Sequence, residues 1–146
     1  MGFGEAVRTC FNKYVTFSGR ARRSEYWWWI LFIIIAQAVL GVVDRMLFGA
    51  QVVQMGDMMV EAQTGPIGGV FSLVTLLPGL SVMVRRLHDT GHSGWWFWII
   101  LIPIVGWIIL LYWMIKAGDA GDNAFGSDPL AGGAGYGASS VPRVPR

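Results

Sequence analysis

The densest group of side chains able to do chemistry is Arg85-Arg86-Leu87-His88-Asp89-Thr90-Gly91-His92-Ser93-Gly94. On a continuous helix, His88 and His92 would share one face, with Asp89 beside them, a spacing that can hold a metal ion. The His88 and Asp89 pair could instead transfer a proton. Gly91 and Gly94 interrupt a helix here, and a third metal ligand would have to come from elsewhere. The third reading is structural: a charged helix end that pairs with other charges. A basic segment, Gly19-Arg20-Ala21-Arg22-Arg23-Ser24-Glu25, lies earlier in the chain. A turn-rich segment, GDAGDNAFGSDP (Gly118 to Pro129), lies later. Its acids lack the alternation and the final bidentate Glu of a calcium-binding loop. There is no Gly-rich phosphate loop after a strand and no Ser-His-Asp or Cys-His order. The single cysteine, Cys10, excludes an intramolecular disulfide and a cysteine-built metal cage. No catalytic residue, metal ligand or cofactor is assigned.

The elements that must position these groups are apolar. Of 146 residues, 54% are hydrophobic and 14% charged, about half the charged share of an ordinary soluble domain, roughly 25%. Tyr26 to Val43, Pro66 to Val84 and Trp95 to Ile115 contain no Asp, Glu, Lys, Arg or His. As helices they would be about 27, 28 and 31 Å long, close to the ~30 Å hydrocarbon layer. Backbone groups in lipid must be satisfied internally, so each run is expected to be a membrane-spanning helix. Three such runs leave too little polar surface for a soluble fold. A nucleic-acid-binding or disordered chain is excluded as a class. The first run continues past a possible signal cleavage site at Ala36-Gln37-Ala38 and is read as a retained span.

Arg8, Lys13, Arg20, Arg22 and Arg23 precede the first span, and Arg85 and Arg86 follow the second. Arg45 lies between the first two spans, and Lys116 follows the third. A cytoplasmic N-terminus therefore puts seven basic residues inside and two outside. Three spans would leave the C-terminus outside. Trp27 to Trp29 and Trp95, Trp96 and Trp98 read as anchors on the cytoplasmic rim, with Tyr112 and Trp113 on the opposite one. Pro103 and Gly106 are the weak point, because a hairpin broken there would return the tail to the cytoplasm.

Phe3, Val7, Cys10, Phe11, Tyr14 and Val15 recur at helical spacing, predicting an interfacial amphipathic helix over 3–16. Gly19 suits a C-cap and Ser18 a cap for the next helix. A membrane domain is thus expected over 1–130, with a turn motif at 118–129 that packs back through Phe125. A disordered tail is expected over 131–146.

Orientation brings Arg20, Arg22, Arg23 and Glu25 to the same interface as Arg85, Arg86, His88 and Asp89. Glu25 and Asp89 are therefore expected to be counter-ions rather than catalytic acids. Surplus arginines would be free for anionic lipid headgroups. The absence of ionisable groups inside the spans argues against an ion-coupled transporter.

FSGRARRSEYWWW (Phe17 to Trp29), RRLHDTGHSGWW (Arg85 to Trp96), IPIVGW (Ile102 to Trp107) and GDAGDNAFGSDP resemble, in order and spacing, the bacterial family known as domain of unknown function 805. The resemblance covers about residues 6–130. It implies an all-α, multi-pass protein of the bacterial cytoplasmic membrane and carries no established activity. It singles out Gly19, Arg20, Arg22, Arg23, Glu25, Arg85, Arg86, His88 and Asp89, and in the tail Gly121, Asn123, Phe125, Gly126, Asp128 and Pro129. Two positions depart from the family pattern. His92 stands where Arg or Lys is usual, and Ser127 where the tail usually reads Gly-Pro-Asp-Pro. The expected function is non-enzymatic interaction with lipids, membrane proteins or further copies of itself, with no nucleic acid involved. A small oligomeric transporter or channel subunit, and a membrane enzyme using Arg85 to Asp89, are the alternatives.

Overall fold

The computed structural model describes residues 1–62 and 64–131. The expected tail of residues 131–146 therefore lies outside the described residues, apart from Ala131. The described elements are α1 (Phe3–Asn12), α2 (Arg23–Phe48), strands β1 (Gln51–Met55) and β2 (Met58–Ala62), α3 (Pro66–Asp89), a 3-10 helix (Gly94–Leu101) and α4 (Val105–Ile115).

Helices α2 and α3 pack antiparallel and are the two described helices long and apolar enough to cross a membrane. Only 6% of the apolar stretch of α2 is buried inside the protein. A soluble core helix would be enclosed, whereas this one presents Ile34, Ile35, Val39 and Val42 outward. The turn between α2 and α3 depends on Asp44. Its carboxylate leaves α2 and accepts from the amides of Ile67 (3.0 Å) and Gly68 (2.8 Å), capping the start of α3. Gly65 makes that approach possible, since a Cβ there would lie 2.5 Å from Asp44 Cβ. Deeper in the pair, Gln37 donates to Ser72 Oγ.

The segment between these helices forms a β-hairpin, which corrects the all-α expectation. Gln51 pairs with Ala62 and Met55 with Met58 around the two-residue turn Gly56-Asp57, where Gly56 takes φ +63°.

Helix α1 is shorter than expected, ending at Asn12 rather than 16. Beyond it the chain is held by side chains of α3. Ser81 Oγ faces the carbonyls of Lys13 (2.9 Å) and Thr16 (2.6 Å). Tyr14 donates its hydroxyl to the carbonyl of Val74. That carbonyl is unpaired within the helix because its normal partner four residues on is Pro78, which has no N–H. Phe3 and Phe11 meet Trp28, Trp29 and Phe32 of α2. The N-cap of α2 is Arg22, not Ser18, because the chain turns at Gly19 (φ +83°) and reaches Arg22 still extended.

The third apolar run is not one continuous helix, which corrects the expectation of a single helix over 95–115. It is a 3-10 helix and a short α-helix folded against each other. Pro103 withholds an amide at the bend, and Ile104 adopts φ +65°. A β-branched residue pays strain in that region, roughly 1–3 kcal/mol. A Cβ at Gly106 would stand 1.9 Å from the carbonyl oxygen of Ile99, so the two limbs can meet only at a glycine. Trp113, expected on the opposite rim, instead sits beside His92 (ring centroids 4.1 Å) and Trp96 (5.6 Å), near where the run begins.

Candidate functional site

The start of α2 and the end of α3 meet at one end of the pair, joined by the Ala21 amide donating to the Arg85 carbonyl at 3.0 Å. Glu25, in the first turn of α2, faces Arg85, whose Nη1 donates to Oε1 at 2.6 Å. Both side chains are buried, and Nε and Nη2 of Arg85 have no protein partner among the described residues. Asp89 accepts on both oxygens, from Arg20 Nε at 2.9 Å and from Arg86 Nη1. Arg20 also donates to the carbonyls of Asp119 and Gly121. Arg86 donates to the carbonyls of Trp113, Met114 and Lys116. These oxygens belong to the last turn of α4 and the residue beyond it. A helix end leaves such carbonyls unpaired and carries partial negative charge. A buried guanidinium is a good partner for both features.

The tail motif closes over this cluster. The Asp119 amide donates to the Asp89 carbonyl at 2.7 Å. Gly118 lies so close to the Asp89 carboxylate that a Cβ would stand 2.1 Å from Oδ2. Asn123 donates to the His88 carbonyl at 2.9 Å and accepts from the Phe125 amide at 2.9 Å. Asn123 and Gly126 exchange backbone hydrogen bonds of 3.1 Å. The Phe125 ring stacks on His88, with centroids 4.3 Å apart and planes 4° apart. Asp128 accepts from the amides of Gly121 (3.0 Å) and Leu130 (2.8 Å). Those two hydrogen bonds hold its carboxyl below the ordinary carboxylate value. The Pro129 carbonyl accepts from Arg22 Nε at 2.6 Å.

The two histidines do not converge. His88 Nδ1 lies 3.1 Å from the Gly19 carbonyl, so that nitrogen carries the hydrogen. His92 Nδ1 lies 3.2 Å from Thr90 Oγ1, beyond the end of α3 and past Gly91 at φ +75°. The described residues contain no group of three or more His, Cys, Asp or Glu able to hold a metal ion. Cys10 is buried on α1, and desolvation pushes its thiol up to about 12, with the Glu25 charge adding to the rise.

A cavity of about 360 Å³ opens between the start of α2 and the tail motif, lined by Arg20, Arg22, Arg23, Ser24, Asp89 and Asp128 among others. Arg20 and Asp89 are committed to each other. Among the described residues, Arg22 uses only Nε, and Arg23 makes one long bond, 3.4 Å, to the Ile115 carbonyl. Guanidinium nitrogens without a partner among the described residues therefore stand at the mouth of this cavity. A larger cavity of about 590 Å³ lies at the other end, by Gln37, Asp44, Arg45 and Glu61. Its charges are occupied by the α3 cap and by an exposed Arg45–Glu61 pair.

Sequence reasoning singled out the arginines and acids of the cluster. It missed Gly118, whose signal is only a glycine beside an acid, and it marked Gly106 as a break without its approach to Ile99. It also missed the capping role of Asp44, which acts on a different helix.

The family described as Protein of unknown function (DUF805) matches residues 14–127. The chain belongs to the DUF805 family. Inner membrane protein YhaH of Escherichia coli (strain K12) is 41% identical over 116 residues, covering 80% of this chain and 88% of that protein. Inner membrane protein YhaI of the same strain is 36% identical over 119 residues, covering 82% and 90%. No solved structure matches. This DUF805 chain is a membrane protein, and its relatives are inner membrane proteins.

Proposed function

We propose that this DUF805 protein crosses the inner membrane twice, inserts its third apolar run as a re-entrant hairpin, and acts by non-enzymatic contact with anionic lipid headgroups. Arg8, Lys13, Arg20, Arg22, Arg23, Arg85, Arg86 and Lys116 then lie at one end of the α2–α3 pair. Arg45 alone lies at the other among the described residues. That asymmetry supports a cytoplasmic arginine end.

One observation carries the reading. Both carboxylates of the cluster are already bound by guanidinium groups, while Arg22 and Arg23 keep N–H groups unused by the described residues beside an open cavity. Acids so engaged are poorly placed to move a substrate proton. Basic groups left free at the headgroup level attract acidic lipid.

Native mass spectrometry of protein extracted with its lipid tests this. Each basic residue is worth about 1 kcal/mol near an anionic surface, so Arg22→Gln with Arg23→Gln should weaken acidic-lipid retention roughly tenfold or more. Unchanged retention in a folded double variant contradicts the reading.

A further inference from the structure

We propose that this protein is wedge-shaped across the bilayer and concentrates where the leaflet at its arginine end is the convex one. The inference rests on the re-entrant topology proposed above and follows from element lengths and positions. Eight residues of 3-10 helix reach about 16 Å, and the eleven residues of α4 reach about the same, so neither limb crosses a ~30 Å hydrocarbon layer. Both ends of the hairpin are held at the arginine end. Gly94 comes just past the end of α3, after the turn Thr90 to Ser93, and the last carbonyls of α4 bind Arg86. Ile104 at the bend is exposed, as are Trp98, Leu101, Trp107, Ile108 and Leu111 on the limbs. In that layer only acyl chains can cover them.

Helix α1 adds to the same leaflet. It packs on Trp28, Trp29 and Phe32, in the first half of α2, and the chain just after it reaches Ser81, in the second half of α3. At the far end only α2 and α3 cross the hydrocarbon. The β-hairpin there has two open edges, and unpaired strand edges belong in the headgroup layer or in water. Of the described helical segments, five thus occupy the near leaflet and two the far one. Lipids spread by the broader end are accommodated where that leaflet is stretched by curvature. This is the geometry by which one-sided insertions respond to membrane shape.

The test uses the full chain with an N-terminal fluorophore, reconstituted into giant vesicles of phosphatidylethanolamine and phosphatidylglycerol. Narrow tubes are pulled from these vesicles. An impermeant quencher separates copies whose N-terminus faces out from those facing in. Outward-facing copies should be enriched about twofold or more in the tube over the parent vesicle, and inward-facing copies depleted. Equal density for both orientations, or sorting of opposite sign, overturns the inference. A second fluorophore at Leu130 checks the topology in the same vesicles. If the two labels face opposite sides, the re-entrant reading fails and the wedge falls with it. If they face the same side without sorting, the wedge alone fails.

Discussion

Arg86, near the end of α3, donates to the carbonyl oxygen of Lys116, 30 residues later and one residue past the third apolar run. The run therefore ends where it began. The pairing binds the last turn of α4, the end of α3 and, through Asp89 and Arg20, the entry to α2 into one buried network.

Replacing Asp89 by Asn removes the shared acceptor of Arg20 and Arg86 and leaves two buried guanidinium groups under-compensated. Loss of one partner from a buried ion pair costs about 3–5 kcal/mol. Asp89→Asn should lower the thermal midpoint in detergent by several degrees. Adding Arg86→Gln should recover part of the loss, but not all, since Arg86 also holds the α4 carbonyls. No recovery in the double variant would mean that the pair is not coupled.

Gly106→Ala drives a methyl group into the Ile99 carbonyl, a contact that backbone must yield to. Overpacking of this kind costs about 1–3 kcal/mol. Gly69, in α3, has open space where a Cβ would be. Gly69→Ala should leave stability unchanged or raise it by up to about 1 kcal/mol through helix propensity. Thermal unfolding of both variants in one detergent separates them. Equal effects would argue against close packing of the hairpin limbs.

The counter-ion cluster was legible because it needs only two helix ends at one interface, and the charges of Arg20 to Glu25 and Arg85 to Asp89 mark those ends. The hairpin was harder to read. A 21-residue apolar stretch satisfies the length rule for a span, and composition cannot report that Gly106 must touch Ile99. Pro103 and Gly106 signalled a break, but only the bonds from Arg86 to residues 113–116 fix its direction. The β-hairpin carries its own signal, Gly56-Asp57 between two short apolar strands. The Asp44 cap had no local signal, because the donor amides lie 23 and 24 residues away.

Tyr14→Phe removes the donor that serves the Val74 carbonyl. A net loss of about 1 kcal/mol is expected, together with looser docking of the segment that follows α1. Cys10, buried with its thiol raised to about 12, should resist maleimide at neutral pH in the parent chain. Labelling should speed up in Tyr14→Phe. Rapid labelling of the parent would show that α1 is not docked as described.

Asp128 carries the pH dependence of the tail motif. Its folded-state value lies below the ordinary 3.8 because two amides donate to the carboxylate. Folding therefore favours the ionised form. The contribution is complete at neutral pH, starts to fall as pH drops through the ordinary value, and is gone below the folded one. Amide resonances of Gly121 and Leu130 should titrate together with a midpoint below 3.8. Asp128→Asn should abolish that titration. A midpoint at or above the ordinary value would contradict the turn.

Whether the third apolar run turns back is decided by paired fusions at Leu130, one to alkaline phosphatase and one to green fluorescent protein, expressed in the bacterial inner membrane. The re-entrant account predicts fluorescence without phosphatase activity, with the tail on the cytoplasmic side beside Arg20 and Asp89. Phosphatase activity without fluorescence would mean that residues 95–115 cross the membrane, and the account would be wrong.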